Sequence, residues 1–193
     1  MKYLMAIGAA VSAISFPGVT VAQDASSWAG FYGGIGIAAH IDGYQDEYDD
    51  IINLSNRSHK PVEFFLGYNW ALGNVVLGIE ALKGPEDIRQ TDETPNYGVA
   101  NIMDLRGKIG YGTDKWLAYF SAGKSTGQVD YEDLYDVNGH SYGLGFSYFL
   151  SEQVYAGVEW IHREVEEEGY ASNPNNNIAA FFDTVSVRFG FQF

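Results

Sequence analysis

The clearest hydrophobic pattern lies at the end of the chain, where residues 183–193 read DTVSVRFGFQF. Apolar residues occupy every second position, and small or polar residues occupy the positions between them. A period of two is typical of a β-strand, because successive side chains point to opposite faces. The segment therefore predicts a strand with one wholly apolar face. That face carries Val185, Val187, Phe189, Phe191 and Phe193.

The same alternation recurs along the chain and predicts eight strands, although the facing of residues 116–125 stays open because the parity there is ambiguous. Long polar connections alternate with short turns, as in an antiparallel up-and-down transmembrane β-barrel with long outer loops and short periplasmic turns. The predicted strands are 29–40, 60–70, 75–83, 97–111, 116–125, 139–150, 154–163 and 183–193. The predicted long loops are 42–58, 84–96, 126–138 and 164–177.

The apolar faces are expected to point outward, towards lipid. A soluble barrel of the lipocalin type, with its apolar face inside, is the alternative. The interior of eight strands is only just wide enough for side chains or one small ligand. Large inward side chains from nearly every strand would overfill it, whereas glycine, serine and scattered charges fit. Aromatic residues beside the short turns predict an interfacial girdle: Trp70, Tyr111, Trp116, Tyr148, Phe149, Tyr155, Phe191 and Phe193.

Six charged residues have the inward parity and predict an ion-pair network that plugs the lumen. Glu80, Arg106, Glu159 and Arg188 each lie about half-way along their strands, so we expect them to meet in one layer. Buried charges persist when they are paired. Glu80 with Arg106 is the favoured pair, because their strands are neighbours. The full set is Glu63, Glu80, Arg106, Lys108, Glu159 and Arg188.

The first 22 residues have the layout of a secretory signal peptide. Lys2 precedes an apolar run, Pro17 and Gly18 break it, and the small residues Thr20 and Ala22 precede a predicted cleavage site. A retained helical anchor is the alternative. The predicted domains are therefore a signal peptide, 1–22, and a barrel, 23–193.

Composition narrows the classes of function. The chain has 25 acidic against 11 basic residues, which argues against nucleic acid as a partner, since phosphate binding needs a basic surface. It has no cysteine, so disulfides and thiolate metal sites are excluded. Its mean hydropathy of −0.15 is compatible with a barrel, because only half of each strand needs to be apolar.

No residues are assigned to catalysis, to a metal or to a cofactor. His140 and Ser141 are adjacent on a strand and point to opposite faces, so they cannot share a proton as a nucleophile and base must. His162 is expected near His140 at the outer rim, without an assignable nucleophile. Whether the acidic segment 42–50 binds divalent cations through carboxylate oxygens stays open.

Four segments resemble the Omp25/Omp31-like (OmpA-like) outer-membrane β-barrel family of Gram-negative bacteria: WAGFYGGIGIA at 28–38, LRGKIGYGTDKWLAYFSAGKS at 105–125, HSYGLGFSYFL at 140–150 and VSVRFGFQF at 185–193. The resemblance implies export, an outer-membrane location, and insertion by the barrel-assembly machinery, which would read Phe189, Phe191 and Phe193 as an assembly signal. It also implies contact with outer-membrane lipid and lipopolysaccharide.

The expected function is a non-enzymatic role in envelope integrity and surface interaction, with a surface ligand that the sequence does not identify. A narrow channel for ions or small solutes is the alternative. A lipid A-modifying enzyme is less favoured.

Overall fold

The structure is a computed structural model that describes residues 24–47, 50–53, 57–60, 62–84, 86–89, 98–131, 133–167 and 179–193. The predicted signal peptide, 1–22, lies outside these residues and stays a prediction. Within the described part of the chain, no helix is both long enough and apolar enough to cross a membrane.

Eight long antiparallel strands form a closed barrel, which confirms the predicted fold. Each strand pairs with its neighbour in sequence, and the first and last strands close the barrel, with Gly34 opposite Gly190. The strands are β1 (Gly30–Glu47), β2 (Val62–Leu72), β3 (Val75–Lys83), β4 (Gly98–Gly112), β5 (Trp116–Tyr131), β6 (Asp133–Phe149), β7 (Val154–Glu167) and β8 (Ala179–Gln192). The short segments Asp50–Asn53, Arg57–Lys60 and Glu86–Arg89 extend the sheet at one end.

Short turns connect β2 to β3, β4 to β5 and β6 to β7 at the other end of the barrel. The tightest of them consists of Gly73 and Asn74, where Gly73 has φ +63°. Glycine adopts this left-handed conformation without steric cost, which favours a two-residue hairpin turn. All three turns lie where the sequence predicts them.

The strands run further at the long-loop end than the sequence indicates. β1 continues to Glu47 instead of ending near residue 40, and β7 continues to Glu167. Residues 126–138, predicted as a loop, are mostly the paired ends of β5 and β6, with Tyr131 opposite Asp133. Polar residues are compatible with such an extension, because the ladder satisfies the backbone hydrogen bonds.

The outward faces carry the large apolar side chains, as predicted. Phe31, Ile79, Leu105 and Phe189 are 62%, 52%, 66% and 48% exposed, and comparable residues alternate along the other strands. An apolar belt of this extent indicates contact with lipid rather than water. The structure also gives the facing of β5, which places Tyr119 inside and Phe120 outside.

Candidate functional site in the barrel lumen

The barrel lumen contains a layer of charged residues half-way along the strands. All six residues that the sequence places there are brought together, with the three glutamates and two arginines 3% exposed or less and the Lys108 side chain 7% exposed. β2 contributes Glu63, β3 Glu80, β4 Arg106 and Lys108, β7 Glu159, and β8 Arg188. We call these six residues the charged layer.

Arg188 is the centre of the charged layer, because it contacts all three glutamates. Its Nη1 atom donates a hydrogen bond to Glu159 Oε2, its Nη2 atom lies 3.0 Å from Glu80 Oε2, and its Nε atom lies 3.6 Å from Glu63 Oε1. The guanidinium also stacks on Phe65, 3.6 Å from the ring centroid. A single cation therefore links carboxylates from three different strands.

Arg106 and Lys108 complete the layer from β4. Arg106 lies directly opposite Glu80 in the strand register, donates to its carboxylate, and places Nη1 3.0 Å from Glu159 Oε1. Lys108 Nζ lies 3.2 Å from Glu80 Oε2, which also accepts a 2.9 Å hydrogen bond from the Tyr32 hydroxyl. Glu80 is therefore held by three cations and a hydroxyl.

The charged layer is formally neutral, because three glutamates face two arginines and one lysine. Taking such charges out of water costs several kcal/mol per ion, and mutual attraction offsets that cost only when the geometry is good. A balanced set of buried ions from five strands therefore fills the lumen, and Glu63 is its least well satisfied member, since neither of its carboxylate oxygens accepts a hydrogen bond from a described residue. The set also carries no excess charge that would favour ions of one sign.

A second ion pair, absent from the predicted set, lies nearer the long-loop end. Arg163 on β7 donates to Asp104 on β4 at 2.8 and 3.1 Å, and both side chains are fully buried. Thr184 and Ser125 hydrogen-bond to the pair. Both charged residues have the inward parity in the sequence, which is the signal that would have found them. The two residues lie on non-adjacent strands, and the alternation of apolar and polar positions does not predict which inward residues form an ion pair across the lumen.

Three tyrosine–glycine pairs on neighbouring strands fill further parts of the lumen. Tyr32, Tyr119 and Tyr155 lie directly opposite Gly67, Gly145 and Gly190, and a Cβ added at each glycine would collide with the facing phenol ring. Each ring lies over the space that the missing side chain leaves open. The glycines therefore let large side chains enter a narrow barrel.

An N-terminal segment, Asp24–Ala29, closes the short-turn end of the barrel. It contains the 3₁₀ turn Ser26–Trp28, and Trp28 is 2% exposed. The Trp28 indole Nε1 donates to the carbonyl of Thr113 at 2.8 Å, and the Ala25 amide donates to that of Gly73 at 2.9 Å. Two different turns thus hold the segment, which we call the N-terminal plug.

The Ser26 amide and hydroxyl both donate to Asp24 Oδ1, and these bonds lower the pKa of Asp24 below its usual value.

Two of the eight residues predicted for the aromatic girdle are instead buried against the N-terminal plug, so the prediction is wrong for them. Phe149 and Tyr155 are buried in the mouth, with ring centroids 4.1 and 5.3 Å from that of Trp28. Both residues have the inward parity of their strands, so their position beside a turn does not bring them to the interface. The other girdle residues point outward: Trp70, Tyr111, Trp116, Tyr148, Phe191 and Phe193.

The terminal phenylalanines lie on the outer face of β8, beside β1. Phe193 is 73% exposed, and its amide donates to the Phe31 carbonyl at 2.9 Å. Their use as an assembly signal stays a prediction.

The histidines predicted near the outer rim lie on the outward face. His162 Nδ1 lies 2.7 Å from Asp183 Oδ1 and its Nε2 lies 3.3 Å from Glu164 Oε1, so carboxylates rather than a hydroxyl contact the imidazole. His140 lies opposite Glu164 in the register. Among the described residues, no group of three or more His, Asp or Glu is arranged to hold a metal ion. The side chains of the acidic segment 42–50 lie outside that part of the chain.

A closed barrel with an apolar exterior and a polar, charge-paired interior defines a transmembrane protein of the outer membrane. The family described as "Outer membrane protein beta-barrel domain" matches residues 6–193, and the chain belongs to it. The protein is therefore an outer-membrane protein of a Gram-negative bacterium.

Individual relatives support the same class. A 22 kDa outer membrane protein of Rhizobium leguminosarum bv. viciae is 27% identical, over 87% of this chain and 78% of that protein. The outer membrane protein OprG of Pseudomonas aeruginosa matches 86% of this chain and 96% of its own, with 14% identity and a TM-score of 0.52. Ail, the attachment invasion locus protein of Yersinia pestis, matches 86% and 99%, with 8% identity and a TM-score of 0.50. Both structures show similarity of fold.

Proposed function

We propose that this protein is a non-conducting barrel that supports the integrity of the outer membrane and presents its long-loop end at the cell surface. The observation that carries the proposal is the charged layer, which fills the lumen with buried, mutually paired side chains. An open pore needs a continuous path of water, and the side chains of Glu63, Glu80 and Arg106 are 1% exposed or less. The N-terminal plug gives a second closure at the periplasmic mouth.

A narrow channel, the alternative, would require the charged layer and the plug to move apart. Arg188 alone bridges three strands, and each bridge that opens leaves a buried carboxylate short of a partner. The geometry therefore favours a permanently filled lumen over a gate.

We also infer that the protein is not an enzyme. The outer-rim histidine His162 is engaged by two carboxylates on the outward face, and the buried hydroxyl of Ser125 donates to Asp104. These contacts stabilise structure and leave no activated nucleophile among them. Lipid and lipopolysaccharide around the barrel, the barrel-assembly machinery during insertion, and a surface ligand remain the proposed partners.

Surface interaction is the second part of the proposal. Ail, which shares the fold, is named as an attachment invasion locus protein, although its 8% identity carries only the fold. In this chain the strands project beyond the apolar belt at the long-loop end, with β1 reaching Glu47 and β7 reaching Glu167. Such a projection would offer a rigid base for surface recognition.

A deletion strain tests the structural role against the channel role. The strain should become sensitive to deoxycholate and recover when the wild-type gene is restored, because a missing structural barrel weakens the envelope. Growth on limiting concentrations of small solutes should be unchanged. Normal deoxycholate resistance combined with slow growth on such solutes would contradict the proposal and support a channel.

A further inference from the structure

A row of hydrogen-bonded polar side chains crosses the outward face of the barrel on four neighbouring strands. Lys83 Nζ on β3 donates to Asn101 Oδ1 on β4 at 3.3 Å, Asn101 Nδ2 donates to Gln128 Oε1 on β5 at 2.6 Å, and Gln128 Nε2 donates to Asp136 Oδ1 on β6 at 2.9 Å. We call these four residues the polar row. None of them belongs to the lumen.

The position of the polar row places it at the level of the lipid headgroups. Met103 and Leu105, the next outward residues of β4 towards the membrane centre, are 55% and 66% exposed and belong to the apolar belt. Amide side chains on the outward face cannot face hydrocarbon without a large loss of hydrogen bonding. The row lies at the long-loop end, which is the outer leaflet in barrels of this class.

Asn101, which points outward with Met103 and Leu105, lies at a local irregularity of β4. The register shifts between Ala100 and Met103, Asn101 has φ +53°, and Val99 and Ile102 are both buried although they are three positions apart. A bulge of this kind re-aims a side chain, and a strained backbone persists where its surroundings hold it. Asparagine tolerates this conformation better than most residues.

The chemistry of the row fits a sugar better than a phosphate. The charges of Lys83 and Asp136 cancel, and a groove of about 490 Å³ adds Thr126 and Asn138 to the same surface. Amides, a hydroxyl and a carboxylate provide donors and acceptors for sugar hydroxyls, whereas phosphate groups attract clustered cations. Met103 lines the edge of the groove nearest the membrane and can contact the apolar part of the same lipid.

We propose that the polar row and its groove bind the inner-core sugars of outer-leaflet lipopolysaccharide, next to its lipid A. The proposal rests on the outer-membrane location and is independent of whether the lumen conducts. The saccharide lies over Asn101 and Gln128, which exchange their mutual hydrogen bond for bonds to sugar hydroxyls. Lys83 and Asp136 lie at the two ends of the row and flank the bound sugar.

The test measures binding of two fluorescent probes to the detergent-solubilised protein by thermophoresis. The probes are deep-rough lipopolysaccharide and lipid A. Both probes contain the glucosamine disaccharide of lipid A, and only deep-rough lipopolysaccharide also has the inner-core sugars. We expect Gln128→Ala to weaken binding of deep-rough lipopolysaccharide by about tenfold, the factor that a good neutral hydrogen bond represents. Asn101→Gly, which tolerates the same backbone conformation and removes the amide without adding a charge, should weaken it similarly. Binding of lipid A should change little in either variant.

Lys124→Ala is the matched control, because Lys124 is exposed on the outward face of β5 and is not part of the polar row. It should leave binding of deep-rough lipopolysaccharide within about twofold of the wild type. Unchanged binding in both row variants would overturn the proposal. The proposal would also be overturned if the wild type bound the two probes equally and Lys124→Ala bound them more weakly. That result would indicate diffuse attraction of phosphates. Heat-modified mobility on a gel checks that each variant is folded.

Discussion

Replacing Arg188 with alanine should lower the free energy of unfolding by about 3–5 kcal/mol, the cost of removing one partner from a buried ion pair. Arg188 contacts Glu63, Glu80 and Glu159. Arg106 and Lys108 still hold Glu80, and Arg106 still holds Glu159. Glu63 has no other salt bridge among the described residues, so it is left as an uncompensated buried carboxylate. The measurement is urea unfolding of the protein folded in lipid vesicles.

Lys124→Ala again provides the control, because it removes one positive charge from an exposed position. Its free energy of unfolding should stay within about 0.5 kcal/mol of the wild type. Equal stability of Arg188→Ala and Lys124→Ala would show that the charged layer contributes nothing to holding the barrel together. Arg188→Lys should recover only part of the loss, since an ammonium cannot reach three carboxylates as a guanidinium does.

Replacing Trp28 with alanine should cost about 3–5 kcal/mol, as for other buried tryptophans. The substitution removes the ring contacts with Phe149 and Tyr155 and the indole hydrogen bond to the Thr113 carbonyl. The periplasmic mouth then loses the centre of its plug while the strands stay paired. The temperature at which the fast-migrating folded band disappears from an unboiled gel should fall clearly.

Trp70→Ala is the matched control, since Trp70 is 49% exposed on the outer face. In detergent, Trp70→Ala should lower the melting temperature less than Trp28→Ala does, because an outward side chain is surrounded by detergent rather than packed inside the protein. If Trp28→Ala melted with the wild type, the N-terminal plug would be a loosely attached segment rather than a closure.

The sequence was sufficient to predict the architecture, because the alternation of apolar and polar residues shows which side chains of most strands point outward. In β6 and β8 every large outward residue, such as Leu144 or Val187, follows the predicted parity. β5 is different, since it has large residues on both faces: Leu117 and Tyr119 point inward, and Trp116 and Phe120 point outward. A rule that sends large side chains to the lipid cannot assign such a strand. The opposing glycine, Gly145, is what makes room for Tyr119 inside.

The six residues of the charged layer and one of its pairs, Glu80 with Arg106, were predicted, but the contacts across the lumen were not. Glu80 and Arg106 lie opposite each other because their strands are neighbours, whereas Arg163 contacts Asp104 across the lumen. Contacts of that kind depend on how the closed sheet is staggered, which alternation alone does not determine. The plug was missed for another reason: Trp28 precedes the first strand, and no periodic pattern reports on a segment that folds back into the mouth.

A planar-bilayer recording of the purified wild-type protein tests the central claim, a filled and closed lumen, most directly. A general porin inserted under the same conditions provides the positive control, and detergent without protein provides the blank. The account predicts that the protein adds no current steps above the blank in symmetrical salt, although gel mobility shows that it is folded. Reproducible unitary steps from the folded wild-type protein would contradict it, because ions would then pass the charged layer and the N-terminal plug.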